Sequence, residues 1–295
     1  MEENSISTKL DALESLLQSW QTVAIGYSGG VDSTFLAAVC ARALPEGTVL
    51  MRLDTPFAGT PERASVVHAA SAGREKNDAR AFGLPLVTIP MDPFVHDEIV
   101  GNDESRCYYC KRAGFTALVH EAQERGIAVV ADGSNADDAD DYRPGMRALK
   151  ELSVRSPLME TGWHKDEERE LLRSWGVPIW NMPAGACLAT RIPCGEPLTP
   201  QKLQMVRACE DYLHELGFQQ VRARLMGGSV QVEAAPDDLQ RLAGCEREAT
   251  DMATVAVAVA EAALPAAVHA ELERRAGCAV EPFARPYGKG NMNGR

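Results

Sequence analysis

The sequence lacks several things that would have settled its class at once. It has no long apolar run: the longest, around Ala253 to Ala267, is rich in Ala and Val and carries Glu261. That is too short and small-sided for a membrane span. Net positive charge is missing too. The balance is −12, which argues against a general nucleic-acid coat. The start, Met1-Glu2-Glu3-Asn4, is acidic and has no apolar core behind it, so no secretory signal is expected. Without one, the eight scattered cysteines fit a reducing cytosol better than a disulfide framework. Cys107-x-x-Cys110 has no second pair nearby, and the six histidines form no close cluster, so a zinc site is not indicated. Internal repeats are absent, and so is the Walker pattern G-x-x-x-x-G-K-[ST].

What is present begins at Val23. A short apolar run stops at Ser28-Gly29-Gly30-Val31-Asp32-Ser33, and a helix-compatible run, Thr34 to Ala43, follows. Two glycines permit a sharp turn and close approach of the backbone to a ligand. The N–H groups and positive dipole end of the next helix then face an anion. Ser28 and Ser33 add hydroxyl donors. The hexapeptide resembles the PP-loop of ATP pyrophosphatases, which hold the pyrophosphate of ATP while AMP is transferred to a substrate.

The spacing predicts an amphipathic helix over 8–20, then strands Thr22–Tyr27, Thr48–Leu53, Leu86–Ile89 and Ile127–Ala131, separated by segments of helical length. That alternation means a parallel α/β sheet with ligands at the carboxyl ends of its strands. A break rich in Pro and Gly lies between Trp163 and Pro197. Beyond it we expect a helix over Pro200–Leu216 and a hairpin, Val221–Leu225 and Ser229–Ala234, turning at Gly227-Gly228. Asp237–Ala243 and Thr250–Arg275 read as helical, interrupted at Pro265, before an irregular basic tail from Arg285. The reading is thus an α/β, parallel-sheet PP-loop domain over 1–175 and a smaller α+β domain over 176–295.

After the last expected strand comes Asp132-Gly-Ser134-Asn-Ala-Asp-Asp-Ala-Asp-Asp-Tyr-Arg143, with five aspartates in ten residues. The closing Glu and the spacing of an EF-hand are missing. At the nucleotide edge of a sheet, such a loop suits Mg²⁺ and substrate positioning, with Asp132 and Ser134 as candidate nucleotide contacts.

Asp132-Gly-Ser-Asn-Ala-Asp-Asp, Val154-Arg-Ser-Pro-Leu158 and Pro183-Ala-Gly-Ala-Cys-Leu-Ala-Thr-Arg-Ile-Pro193 together resemble the LarE-type sulfur transferases, PP-loop enzymes of nickel-pincer cofactor biosynthesis. The likeness extends to Arg106-Cys-Tyr-Tyr-Cys-Lys111, Leu216-Gly-Phe with Val221-Arg-Ala-Arg224, and Gly288-Lys-Gly-Asn-Met-Asn. It implies an enzyme that uses ATP and Mg²⁺ to adenylate a carboxylate of a small nucleotide and then inserts sulfur. It also implies a homo-oligomer. Ser28 to Ser33 would hold the phosphates, with Asp32 near the Mg²⁺. Cys187 matches the cysteine whose thiolate attacks the acyl-adenylate and surrenders its sulfur, leaving dehydroalanine. Arg191, four residues on, would favour the thiolate. Glu210 matches an active-site carboxylate, and Arg222 and Arg224, alternating on a strand, suit a substrate phosphate or carboxylate. Gly228 and Gln231 depart from the family pattern, with Glu233 close by. Cys194 and Cys209 leave a second sulfur source open. With Cys187 they would bind an iron–sulfur cluster with one iron free of protein ligands; otherwise both are packing residues. The alternatives are an amidating PP-loop enzyme, in which the Cys187 loop has no purpose, a tRNA-thiolating one, which calls for a basic face, or a non-catalytic nucleotide-binding sulfur carrier.

Overall fold

Four short apolar runs become parallel strands, and the strand alternation decides which side chain faces which layer. In the computed structural model, residues 2–59, 80–138, 144–183, 185–242 and 261–288 are described. The chain divides into two units, one of Met1–Ile99 with Ser105–Gly185, the other of Val100–Glu104 with Ala186–Arg295. The division falls at Gly185/Ala186, and the short segment Val100–Glu104 belongs with the second unit.

In the first unit the strands are β1 (Val23–Gly26), β2 (Thr48–Asp54), β3 (Arg80–Ala81), β4 (Leu84–Pro90) and β5 (Val129–Ala131), in the spatial order β3-β4-β2-β1-β5. All neighbours are parallel except β3, which runs antiparallel to β4. Helices α1 (Glu2–Ser19), α2 (Val31–Ala43), α3 (Arg106–Glu124), α4 (Pro144–Glu151) and α5 (Lys165–Ser174) accompany the sheet. Successive residues of β1 face opposite layers. Val23 and Ile25 pack with Leu13, Leu17, Phe35 and Leu172, from α1, α2 and α5. Ala24 packs with Met51, Leu118 and Ala122 of β2 and α3, and with Leu149 of α4. A sheet covered on both faces is apolar at most strand positions, which is why β1 and β5 read as continuous hydrophobic runs, while β2 and β4 turn polar toward their carboxyl ends at Arg52, Asp54 and Thr88.

The chain moves outward from β1 to β2 to β4, then returns to add β5 on the other side of β1. The strand order therefore reverses between β1 and β5. In open α/β sheets, loops leaving the carboxyl ends at such a point separate and leave a crevice. The Ser28–Ser33 loop leaves β1 there, and the Asp132 loop leaves β5.

The second unit has the sheet order β6-β7-β9-β8, with β6 (Val221–Met226), β7 (Ser229–Ala234), β8 (Ala262–Ala263) and β9 (Val280–Pro286). The β6–β7 hairpin turns at Gly227 (φ 58°) and Gly228 (φ 89°). Both lie in the left-handed region that a two-residue turn between twisted strands requires. Helix α6 (Pro200–Glu215) begins where Thr199 Oγ1 accepts the Lys202 N–H at 3.1 Å, with Pro200 in the first turn. Its apolar stripe, Leu203, Val206, Cys209 and Leu213, is buried. Helices α7 (Pro236–Leu242) and α8 (Ala266–Ala276) complete the unit.

Two expectations are corrected here. Ala262–Ala263, read as helix, is strand β8 paired antiparallel with β9. Arg285 and Pro286, read as the start of an irregular tail, end strand β9, which pairs parallel with β7. Small residues and a proline concealed the strand character; sheet pairing supplied it. The remaining helical expectation over 250–260 and the tail from 289 lie outside the described residues. Asn102, wholly buried at φ 55°, ties Val100–Glu104 into this unit. Its side-chain amide donates to the carbonyls of Pro193 (2.8 Å) and Glu196 (2.9 Å).

Candidate functional site

The glycine turn after β1 has the geometry of an anion cradle. Gly29 stands at φ 82°, where a side chain would be strained. Gly30 caps α2 and supplies no side chain to its N–H groups, so the first-turn donors have no partner within the helix. Ser28 and Ser33 close the loop. Their hydroxyls are 3.0 Å apart, and Ser33 Oγ also receives the Ser28 N–H at 3.3 Å and donates to the Gly30 carbonyl at 3.2 Å. Gly133, from the loop after β5, packs flat against this turn. A methyl group there would meet the Ser33 nitrogen at 2.9 Å and the Asp32 carbonyl carbon at 3.2 Å. Val31 faces the core.

Asp32 does not stand alone. Lys165 Nζ, from the first turn of α5, lies 3.0 Å from each carboxylate oxygen, and only Oδ2 receives a well-directed hydrogen bond. Glu168, one turn on, is wholly buried and faces Asp32. The Asn135 amide donates to Glu168 Oε1 at 3.0 Å. Burial first, then the neighbouring Asp32 charge, pushes the Glu168 carboxyl up to about 9, so it is a neutral acid at neutral pH. Lys165, Glu168, Asn135 and Gly133 were not legible in the sequence. Lys165 is 133 positions from its partner, and no local pattern marks such a pair.

Asp132 and Ser134 take a different place from the one expected. Asp132 is buried and its carboxylate accepts from Lys111 Nζ (3.1 Å), Ser134 Oγ (2.6 Å), Ser156 Oγ (2.7 Å) and the Ser134 N–H (3.3 Å). Four donors fill its acceptor sites. The pair braces the loop from within and leaves the carboxylate no lone pair for a nucleotide. Asp137 accepts from the Lys165 N–H and bonds His164, which holds its carboxyl below the usual range and raises the imidazole. Asp140, Asp141 and Arg143 lie outside the described residues.

In the second unit Cys187 is exposed and caps a 3-10 turn, Leu188–Arg191. The loop is held from behind. Arg191, only 2% exposed, makes a bidentate pair with Glu210, Nε to Oε1 at 2.6 Å and Nη2 to Oε2 at 3.0 Å. Its Nη1 donates to the Ala186 carbonyl (3.1 Å), the Cys187 carbonyl (3.4 Å) and Thr190 Oγ1 (2.8 Å). Glu210 Oε1 also accepts the Ala223 N–H at 2.9 Å. Arg191 and Glu210, expected at substrate, are therefore paired with each other and with backbone. All three guanidinium nitrogens engage oxygens, so Arg191 grips the Cys187 backbone and is not aimed at the sulfur. Arg224 donates to the Thr190 carbonyl at 2.9 Å, and its Nε lies 2.8 Å from Glu233 Oε2 without pointing along that line. Arg222 is buried beside the Tyr287 ring, 5.6 Å away, and donates to the Val221 carbonyl. Both arginines are thus committed within the protein. Gln231 Nε2 donates to Glu281 at 2.6 Å.

The three cysteines expected as cluster ligands are not gathered in this structure. Cys194 is exposed like Cys187, but Cys209 is wholly buried on α6, its S–H directed at the Leu272 carbonyl at 3.8 Å. Burial pushes that thiol up to about 12. Among the described residues no three His, Cys, Asp or Glu side chains gather to hold a metal ion. The expectation of Cys187, Cys194 and Cys209 as joint ligands is not met by this arrangement. Cys209 fills a core position because it falls on the apolar stripe of its helix. Cys107 is exposed in the first turn of α3, with Arg106 Nη2 3.5 Å from its sulfur. Among the described residues no helix is long and apolar enough to cross a membrane.

A parallel sheet whose order reverses at β1, with Ser-Gly-Gly-Val-Asp-Ser turning into a helix at that point, defines a PP-loop ATP pyrophosphatase domain. No family model matches the chain, but relatives along much of its length do. An uncharacterized protein of Synechocystis sp. is 35% identical over 236 residues, 80% of this chain and 85% of the relative. The pyridinium-3,5-bisthiocarboxylic acid mononucleotide synthase of Lactiplantibacillus plantarum is 30% identical over 229 residues, 78% and 80% of the two chains. One subunit of the glutamine-hydrolyzing GMP synthase of Methanopyrus kandleri is 29% identical over 206 residues, 65% and 62%. The chain belongs to the LarE-type family of sulfur-inserting PP-loop enzymes, the family of the Lactiplantibacillus synthase.

Proposed function

We propose that the protein converts a carboxylate of a pyridinium dicarboxylate mononucleotide into a thiocarboxylate at the expense of ATP, with the sulfur of Cys187. A carboxylate is a poor electrophile, and transfer of AMP gives its carbonyl a good leaving group. Ser28 to Ser33 and the first turn of α2 hold the phosphates, and Mg²⁺ carried by the nucleotide neutralises part of their charge. The Cys187 thiolate attacks the acyl-adenylate and AMP departs. Loss of the Cys187 Cα proton to a base, with the Cβ–S electron pair departing on the sulfur, then leaves a thiocarboxylate on the product and dehydroalanine in the chain. Adenylation belongs to the first unit and the sulfur to the second.

The observation that carries this reading is the exposed Cys187 on a loop whose carbonyls a buried Arg191–Glu210 pair holds in place. A loop that merely connects elements needs no buried ion pair behind it. Anaerobic purification, one turnover with ATP and the dicarboxylate nucleotide, and intact-protein mass form the test. The protein should be colourless and lose the elements of H₂S at Cys187. Cys187→Ala should still release pyrophosphate and transfer no sulfur. A brown protein that keeps its mass, or sulfur transfer by Cys187→Ala, overturns the reading.

A further inference from the structure

Two carboxyl groups, the half-buried Asp32 and the wholly buried Glu168, are neighbours in the first unit, and each keeps one oxygen that receives no well-directed hydrogen bond. Asp32 Oδ1 and Glu168 Oε2 are both sequestered from solvent; the Lys165 ammonium lies 3.0 Å from Oδ1 but off the line of a hydrogen bond, and Oε2 accepts none. The other oxygen of each is satisfied: Asp32 Oδ2 by Lys165 Nζ at 3.0 Å, Glu168 Oε1 by the Asn135 amide at 3.0 Å. Two ionised carboxylates in contact would repel in a site of low dielectric. One proton between them removes both problems, since it turns two orphan acceptors into one hydrogen bond. The Asn135 amide occupies Oε1, so the proton belongs on Oε2, the atom turned to Asp32.

We propose that Glu168 is a positioning residue of the nucleotide cradle: it stands as the neutral acid, donates its O–H to Asp32 Oδ1, and fixes that carboxylate together with Lys165 beneath the PP-loop. The charge arithmetic favours this state for a site that must take a polyanion. With Glu168 neutral, the trio of Asp32, Lys165 and Glu168 carries no net charge. With Glu168 ionised, it would set a net negative charge under the first turn of α2, where the phosphates of ATP arrive, and oppose the helix dipole. Asp32 is the second residue of that turn, so its orientation sets the shape of the cradle floor. The proposal rests on the reading of this loop as the ATP site.

The test compares Glu168→Leu and Glu168→Gln with the unaltered protein by calorimetric titration with MgATP, melting temperature, and infrared spectroscopy of the ligand-free protein. Leucine fills the volume but donates nothing. It should weaken ATP binding about ten- to a hundredfold, the size of one orphaned buried acceptor, and the melting temperature shows how much of the protein is folded when this is read. Glutamine can donate to Asp32 and accept from Asn135, and should restore most of the affinity that leucine loses. ATP affinity unchanged in Glu168→Leu, or equally poor in Glu168→Gln, overturns the proposal. The unaltered protein should show a buried carboxylic-acid carbonyl band at neutral pH that Glu168→Gln lacks, and absence of that band also overturns it. The band is read without nucleotide. A protein that shows it but binds no ATP refutes the reading of the loop as an ATP site and leaves the shared proton standing.

Discussion

Removing Glu210 should separate the two things the Arg191–Glu210 pair does. Both side chains are 2% exposed, and they meet through two hydrogen bonds of 2.6 and 3.0 Å. Glu210→Ala leaves a guanidinium buried without its counter-charge, which costs about 3–5 kcal/mol. It also strips the Ala223 N–H of its acceptor, worth about 1–3 kcal/mol when nothing replaces it. The two losses share one carboxylate and do not add in full, so we expect about 4 kcal/mol, a large part of the ~5–15 kcal/mol that holds a domain folded. Arg191→Leu with Glu210→Leu removes both charges. Replacing a buried pair by apolar residues is close to neutral, so the double variant should regain most of that stability. It still loses the grip on the Ala186 and Cys187 carbonyls, and sulfur transfer should fall as in Glu210→Ala. Because a two-unit chain need not unfold in one step, urea unfolding should be read alongside hydrogen exchange of peptides from 200–226. A Glu210→Ala variant within ~0.5 kcal/mol of the original, or a double variant no more stable than the single, would refute the argument.

Gly133→Ala should weaken ATP binding at least tenfold, because its methyl group meets the backbone of Ser33 and Asp32, at 2.9 and 3.2 Å, and no flexible side chain can yield; titration with MgATP reads this directly. Glu168 also links stability to pH. Its folded value is raised from 4.5 to about 9, so between those values the folded state holds a proton that the unfolded chain has released, and stability falls as pH rises through that window. The accumulated cost at neutral pH is on the order of 3 kcal/mol, and Glu168→Gln should flatten the slope of unfolding free energy against pH; an equal slope in both proteins sinks the assignment. Under native conditions iodoacetamide should modify Cys187 and Cys194, which are exposed, and spare Cys209, which is wholly buried and protonated. Peptide mass mapping that finds Cys209 alkylated as fast as Cys187 would show that the α6 core opens.

The sequence resolved the catalytic scaffold wherever its physics is local. Short continuous apolar runs alternating with segments of helical length favour strands covered on both faces, and each of the four expected strands overlaps one in the sheet. Ser28 to Ser33 read as a tight turn into a helix, and the structure has both there, because tight turns and helix N-termini are written in adjacent residues. The hairpin at Gly227-Gly228 was legible for the same reason. Strands β8 and β9 were not, since Ala262–Ala263 and Val280–Pro286 take their conformation from partners and not from their own propensity.

Side-chain partnership was beyond the sequence's reach. Arg191 and Glu210 were visible as charged residues suited to a substrate; only the fold shows that they satisfy each other, 19 positions apart and out of water. Cys209 was visible as a third thiol beside Cys187 and Cys194; packing on α6 turned it into a protonated core residue. Glu168 looked like one acid among many in Lys165-Asp-Glu-Glu-Arg169. Burial against Asp32 is what keeps a proton on it. A sequence fixes which groups can ionise, coordinate or donate, because that is covalent chemistry. Whether they do so depends on solvation and on the neighbour across a few ångströms, and those are properties of the folded chain alone.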